Sequence, residues 1–265
     1  MALSFRRYCR LTFLYLSMLI TLEHLGRKYR ANLNKGIDLS SVLGDAKKEL
    51  RAWHVPSVLK EPVKGDGWVG SVKDGSPVNF YDIRFNPHGN GTHTESYGHI
   101  SPERESVNQQ FKEFHTLAYL AEVVPEDKNG DQVITLGSLR GHIKKWNFES
   151  LILKTGNYPE GHDFSNTNPP YLEPELITFV KEMGVRHLLL DLPSVDRESD
   201  GGKVQAHKLF WNFPAQPREG CTITEMIRVP AGTAEGLYLL NLQVAPFHND
   251  ASPSRPLIFH LEELS

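Results

Sequence analysis

At 265 residues, 39% of them hydrophobic, the chain is long enough to bury one sizeable core. Its charges nearly cancel, to −3 overall, and no long basic run occurs, so nothing recommends a nucleic acid as partner. Two cysteines, Cys9 and Cys221, argue against a disulfide framework and suit a reducing cytoplasm. Internal repeats, low-complexity tracts, a phosphate-binding loop and a dinucleotide fingerprint are all missing from the sequence.

The first segment stands apart in composition. Arg6, Arg7 and Arg10 precede an apolar run from Leu11 to Leu22, which over residues 1–25 weakly imitates a secretory signal or membrane anchor. No small-residue cleavage site follows, and the run is short for a bilayer, so no membrane partner is expected. Residues 1–28 are read as an N-terminal extension, with Met18 as an alternative translation start, and residues 29–265 as one folded domain. From Met18 the sequence reads as an N-terminal strand. A polar stretch then leads to Trp53, an aromatic suited either to a substrate pocket or to plugging the core.

Residues 61–75 are rich in Gly, Pro and charge and read as a loop into a strand. Tyr81, Ile83 and Phe85 then alternate with Asp82 and Arg84, the pattern of a half-buried strand, which Asn86-Pro87 stops. At that stop begins NPHGNGTHTESYGH, with His88, His93, Glu95 and His99 set among glycines. Neutral imidazoles and a carboxylate converging from a tightly bending backbone suit a divalent ion. His93 and Glu95 are two apart, so an extended segment projects both to one side. Beyond the cluster, Ser101-Pro102 with Glu103 and Glu105 predicts a helix start. Strands are expected at HTLAYLAEVVP and FESLILKTGN, with a strand-to-helix segment between them at VITLGSLRGHIKKWN.

GTHTESYGH resembles the GTHxDxPxH signature of the cyclase family of metal-dependent hydrolases, which includes the bacterial kynurenine formamidases and isatin hydrolases. Gly91, Thr92, His93, Glu95 and His99 fall in register. Three positions depart from the pattern: the acid is Glu95 in place of Asp, the usual proline is Tyr97, and His88 lies five residues before His93 where the family has four. That last shift leaves either His88 or Asn90 as the first ligand.

The segment from His162 to Gly202 is the second informative region. Leu176, Ile177, Val180 and Met183 lie at helical spacing, Gly184 ends the helix, and VRHLLLD is a buried strand with Asp191 at its end. Helix, glycine, strand and loop form the grammar of an α/β layer. DLPSVDR resembles the D-x-x-S-x-D segment of the cyclase family, with Asp196 either orienting ligands or capping its loop. The resemblance further implies that His207 completes the metal site and that a glutamate follows before an apolar β-segment. Glu219 has the usual separation, whereas Glu225, in TITEMIRVP, has the apolar neighbours, and Glu225 is taken as the ligand. His248 and Asp250 lie in a late loop that could rim the pocket.

The resemblance implies an α/β fold, a single cyclase-type domain with a β-rich core flanked by helices, assembled as a homodimer or larger homo-oligomer. It implies one or two divalent ions, Zn or Mn, held by His88, His93, Glu95, His207 and Glu225, with His99 as the catalytic acid and base. The expected reaction is hydrolysis of a small amide or cyclic amide, with an aryl formamide such as N-formylkynurenine as leading substrate. A non-catalytic metal- or ligand-binding protein of the same fold is the alternative, favoured if an ion there had no open coordination position. An interaction domain without metal is a third reading.

Overall fold

The computed structural model describes residues 18–143, 147–156 and 158–264. The signal-like run before Met18 lies outside the described residues. Strands β1 (Leu19–His24) and β2 (Arg27–Asn32) form a hairpin. Its turn residues Leu25 and Gly26 both take positive φ, 49° and 75°, which matches the twist of the paired strands. The boundary expected at 28/29 falls inside this hairpin.

After β3 (Ile37–Asp38), an arm leaves the body of the protein. It consists of β4 (Leu59–Pro62), β5 (Lys64–Gly65), β6 (Trp68–Val69) and β7 (Tyr81–Arg84), with β5 and β6 turning over Asp66-Gly67 and β4 pairing with β7. The alternation in β7 predicts a half-buried strand, yet Tyr81 and Ile83 are 42% and 60% exposed. The pattern is there, but among the described residues nothing covers its apolar face.

β8 (His93–Glu95) follows the glycine-rich loop. The helix expected from Ser101-Pro102 is displaced: Ser101 spends its hydroxyl on Glu103, Arg104 takes φ 53°, and only the single turn α1 (Val107–Gln110) forms. Next come β9 (His115–Glu122), the hairpin β10 (Glu126–Lys128) and β11 (Asp131–Ile134), and α2 (Leu136–Arg140). Thr135 caps α2 by accepting from the Ser138 amide. β12 (Ser150–Lys154), β13 (Tyr171–Leu172), α3 (Pro174–Glu182), β14 (His187–Leu190), α4 (Gln205–Trp211) and β15 (Thr222–Glu225) complete the α/β portion. β16 (Gly236–Asn241), β17 (Ala251–Pro253), β18 (Leu257–His260) and β19 (Glu262–Leu264) finish the chain, β19 pairing back onto β2.

One nine-stranded sheet, ordered β17-β8-β15-β14-β12-β9-β16-β18-β3, organises these elements. Its centre, β15-β14-β12-β9, is parallel, and its flanks are antiparallel. Both faces are covered, which is why the central strands read as continuous apolar runs. Leu188 and Leu190 of β14 join Leu176, Ile177 and Val180 of α3 and Phe210 and Trp211 of α4. Leu189 points the other way, toward Phe111, Ile152 and Ile258. All three leucines are 0% exposed, and burying each contributes about 1.5–3 kcal/mol. Gly184, at φ 83°, ends α3 as its sequence predicts. Among the described residues no helix is long and apolar enough to cross a membrane.

Candidate metal centre

β8 carries the site because it lies between two antiparallel neighbours. His93 pairs with Glu225 of β15 and Ile223 with Glu95, while Ala251 of β17 lies opposite Glu95 on the other edge. Cross-strand pairing sets the His93 imidazole and the Glu225 carboxylate side by side, and two-residue alternation sends Glu95 to the same face. The entry to β8 is tightly made. Gly91 has φ 65°, and a Cβ there would stand 2.5 Å from a Leu43 methyl carbon. Thr92 Oγ1 donates to the Met226 carbonyl at 2.6 Å and accepts from the Ser41 amide.

His93 is fully buried and its tautomer is set by its surroundings. Nδ1 lies 3.1 Å from the Gly91 carbonyl oxygen, which can only accept, so Nδ1 carries the proton and Nε2 presents a lone pair. Nε2 has no hydrogen-bond partner and stands 3.4 Å from Glu225 Oε2. A lone pair facing a carboxylate oxygen in a buried place is stable only with a proton or a cation between them. Ligand atoms of His93, Glu95 and Glu225 lie within 4.8 Å of one another, as do those of His88, Glu95 and His99. The donor set therefore fits a divalent cation, with Glu95 common to both groups.

His207 approaches Glu95 from α4, its Nε2 3.1 Å from Glu95 Oε1 and 3.8 Å from Glu225 Oε1. Its other nitrogen is held by Asp196 at 2.6 Å. Asp196 also accepts the Ala206 and His207 amides, so one carboxylate caps the first turn of α4 and aims the imidazole. Of the two roles its sequence left open, Asp196 takes the orienting one, and the amides it caps belong to α4 and not to its own loop.

His88 and His99 form the rim, with ring centroids 4.3 Å apart. His88 bridges two acids, Nδ1 being 3.0 Å from Glu95 Oε2 and Nε2 2.8 Å from Asp250 Oδ2. Asn90, the competing candidate, spends its side chain inside the loop, accepting from the Asn86 amide and donating to the Pro56 carbonyl. His99 Nδ1 lies 3.8 Å from Glu95 and 3.7 Å from Asp250. Glu219 and His248 are exposed. Asp191 lies outside this cluster, tying the end of β12 to β14 by accepting from Thr155 and Gly156, and burial pushes its carboxyl up to about 6. Tyr97 is buried in the main core and does not line the site.

Charge balance follows from these contacts. Burial alone would raise the Glu95 carboxyl, but the facing His99 and the hydrogen bonds from His207 and His88 hold it well below the usual carboxylate range. Glu225 moves oppositely, since burial and the neighbouring Glu95 push it up. Burial would lower His88 and His207; Asp250 and Glu95 raise the first to about 10, and Asp196 and Glu95 the second to about 10. The acids of this cluster thus demand positive charge, which protons on the imidazoles or a bound cation can each supply.

Sequence reasoning assigned Asp250 no role beyond the pocket rim. Only the placement of β17 beside β8 brings it to His88, and no local motif announces that. The residues enclose a cavity of about 200 Å³ lined by Trp53, His88, His99, Ser194, His207 and Glu225.

The fold is shared with solved metal-dependent hydrolases. Isatin hydrolase A from Labrenzia aggregata, bound to benzyl benzoate, superposes with a TM-score of 0.60 at 16% identity, covering 86% of this chain and 94% of that one. A predicted metal-dependent hydrolase from Bacillus stearothermophilus gives 0.57 at 16% identity over 85% and 98%. In sequence, the kynurenine formamidase of Bacillus thuringiensis strain Al Hakam is 26% identical over 190 residues, 71% of this chain and 83% of that protein. The chain belongs to the Putative cyclase family, whose profile matches residues 37–197. That match holds His88 to His99 and Asp196 and ends before His207 and Glu225.

Proposed function

We propose that this protein is a metal-dependent hydrolase of an amide or cyclic-amide C–N bond. An aryl formamide such as N-formylkynurenine is the leading substrate, supported by the similarity to kynurenine formamidases and to isatin hydrolase folds. The observation that carries the reading is the buried, unpartnered Nε2 of His93 converging with Glu95 and Glu225 beneath an open cavity.

His93, Glu95, His207 and Glu225, with His88 at the rim, would hold one or two divalent ions, zinc or manganese. When bound, such an ion acidifies a nearby water and polarises a carbonyl. Asp196 fixes the ring of His207 and the Gly91 carbonyl fixes that of His93, so both present the same nitrogen inward. His99, 32% exposed at the rim, would take the proton of the attacking water and return it to the departing nitrogen. Trp53, 37% exposed and held at φ 61°, offers a flat face at the cavity for a planar substrate. A purely structural ion site is closed by its ligands, whereas this cluster opens onto the cavity beside His99. A cytoplasmic location belongs to the same proposal and is checked by cell fractionation.

Elemental analysis of the purified chain beside a His93→Ala/Glu225→Ala variant tests the reading. The expected result is one or two equivalents of zinc or manganese in the parent, none in the variant, and formamide or lactam hydrolysis only in the parent. A parent that takes up no ion after reconstitution would end the hydrolase assignment.

A further inference from the structure

The cavity over the metal centre is small for the amides proposed above. At about 200 Å³ it falls below the roughly 300–1,000 Å³ of ordinary small-molecule sites, so a substrate with a sizeable substituent must extend beyond it. A second cavity, of about 490 Å³, adjoins it, and the rings of His88 and His99 line both. Arg104, Asn249 and Asp250 also line this second cavity.

Arg104 is held there in an unusual conformation. Its φ is 53°, in the left-handed region that glycine and asparagine enter more easily, and an arginine stays there only where surrounding contacts enforce it. Its amide donates to the Ser101 carbonyl, and its Nη2 donates to Asn249 Oδ1 at 2.9 Å and to Asp250 Oδ1 at 3.3 Å. Asn249 is itself fixed, its Nδ2 donating to the Ala251 carbonyl. Asp250 meets the His88 ring through its other oxygen, so Arg104 is not its sole partner. Nη2 is thus occupied inside the protein, whereas among the described residues Nε and Nη1 of Arg104 have no partner, and the side chain is 69% exposed.

We infer that Arg104 selects the substrate by receiving a carboxylate carried on the amine half of the amide. The inference rests on the hydrolase reading and on the part His99 plays in it. A departing nitrogen must lie beside the group that gives it a proton, and His99 is a wall of both cavities. The amine half therefore runs past His99 toward Arg104, while the acyl half stays in the smaller cavity, whose size suits a group such as formyl. Nε and Nη1 would each give such a carboxylate a charge-assisted hydrogen bond.

Two pairs of probes test this on the full-length chain. The substrates 3-formamidobenzoate and 3-formamidobenzamide are alike in size and differ in charge. Their products, 3-aminobenzoate and 3-aminobenzamide, bind without turnover, and calorimetry reads that binding. The parent is expected to favour the acid in both pairs. In Arg104→Gln the ratio of kcat/KM, acid over amide, should fall by about tenfold or more through KM, and the preference in product binding should fall with it. Any effect relayed through Asp250 burdens both members of a pair alike and cancels from the ratio. Arg104→Lys keeps the charge and should recover part of each preference. A parent that binds the acid and the amide equally overturns the inference, as does an Arg104→Gln variant that keeps the parent's preference. Acid-selective binding through Arg104 in a protein that hydrolyses neither formamide would support the carboxylate site and end the hydrolase reading alone.

Discussion

His93, Glu95, His207 and Glu225 stand on strands or a helix and are no more than 3% exposed, whereas His88 and His99 leave loops with side chains 23% and 32% exposed. The inner group is held by the main sheet and α4, the outer one by a turn, a short 3-10 segment and contacts with Asp250. Regular elements can fix ligand atoms to the tolerance an ion needs, and loops would leave the proposed proton-handling side room to meet a substrate. On the proposed reading, the two tasks, holding charge and moving protons, would fall to differently supported parts of one cluster.

Substitutions can break this division. His99→Gln should lower hydrolysis of an aryl formamide by on the order of a hundredfold or more while ion content stays at the parent level. Loss of the ion together with activity would place His99 in the inner group and erase the distinction. Asp196→Asn should weaken ion affinity by about 10- to 100-fold, read by chelator competition, because the charge facing His207 is lost and one amide oxygen cannot accept from both the Ala206 amide and the His207 ring as the two carboxylate oxygens do. An unchanged affinity would mean that α4 alone aims the ring.

The smallest effect sharpens the comparison through a histidine outside the site. His187 of β14 is 1% exposed, with Nδ1 2.9 Å from Thr222 Oγ1 and its ring edge-on to Phe111, and no carboxylate accompanies it. Burial, with the charges of Arg186 and Arg218, pulls it down to about 3, whereas the acid-flanked His207 is held at about 10. Between pH 6.5 and 3 the unfolded chain therefore binds a proton at His187 that the folded chain refuses, and stability must fall as pH falls through that window. In urea titrations across this range His187→Leu should show a shallower acid loss than the parent. Parallel curves would show that His187 contributes nothing to it.

Much of the inner group was legible because its chemistry is local. GTHTE places His93 and Glu95 two apart on an extended segment, and Glu225 was chosen over Glu219 for its apolar neighbours, which are the buried strand β15. The parallel centre was legible for the same reason, since VRHLLLD and FESLILKTGN are apolar at every position a two-sided sheet must bury. Asp250 was not, because its contact with His88 depends on a pairing between residues far apart in the chain. The helix at Ser101-Pro102 failed where a side-chain bond and a positive φ at Arg104 overrode an ordinary start signal. In β7 the alternation was read correctly, but alternation says only that a face is apolar and not that its own chain will cover it.

The shortness of β8 has an evolutionary consequence. Three residues are clamped between β15 and β17, and Thr92 is bolted to Ser41 and Met226 just ahead of them. A one-residue slip would turn His93 and Glu95 to the opposite face, so an insertion or deletion between Thr92 and Glu95 destroys the cluster at a stroke. Upstream of Gly91 the chain is a turn held by Asn86 and Asn90 and not a paired strand, so a change of length there leaves the register of β8 unaltered. The five-residue interval from His88 to His93 is therefore the kind of length change this architecture can inherit, and descendants of the chain should vary on that side of Gly91 only.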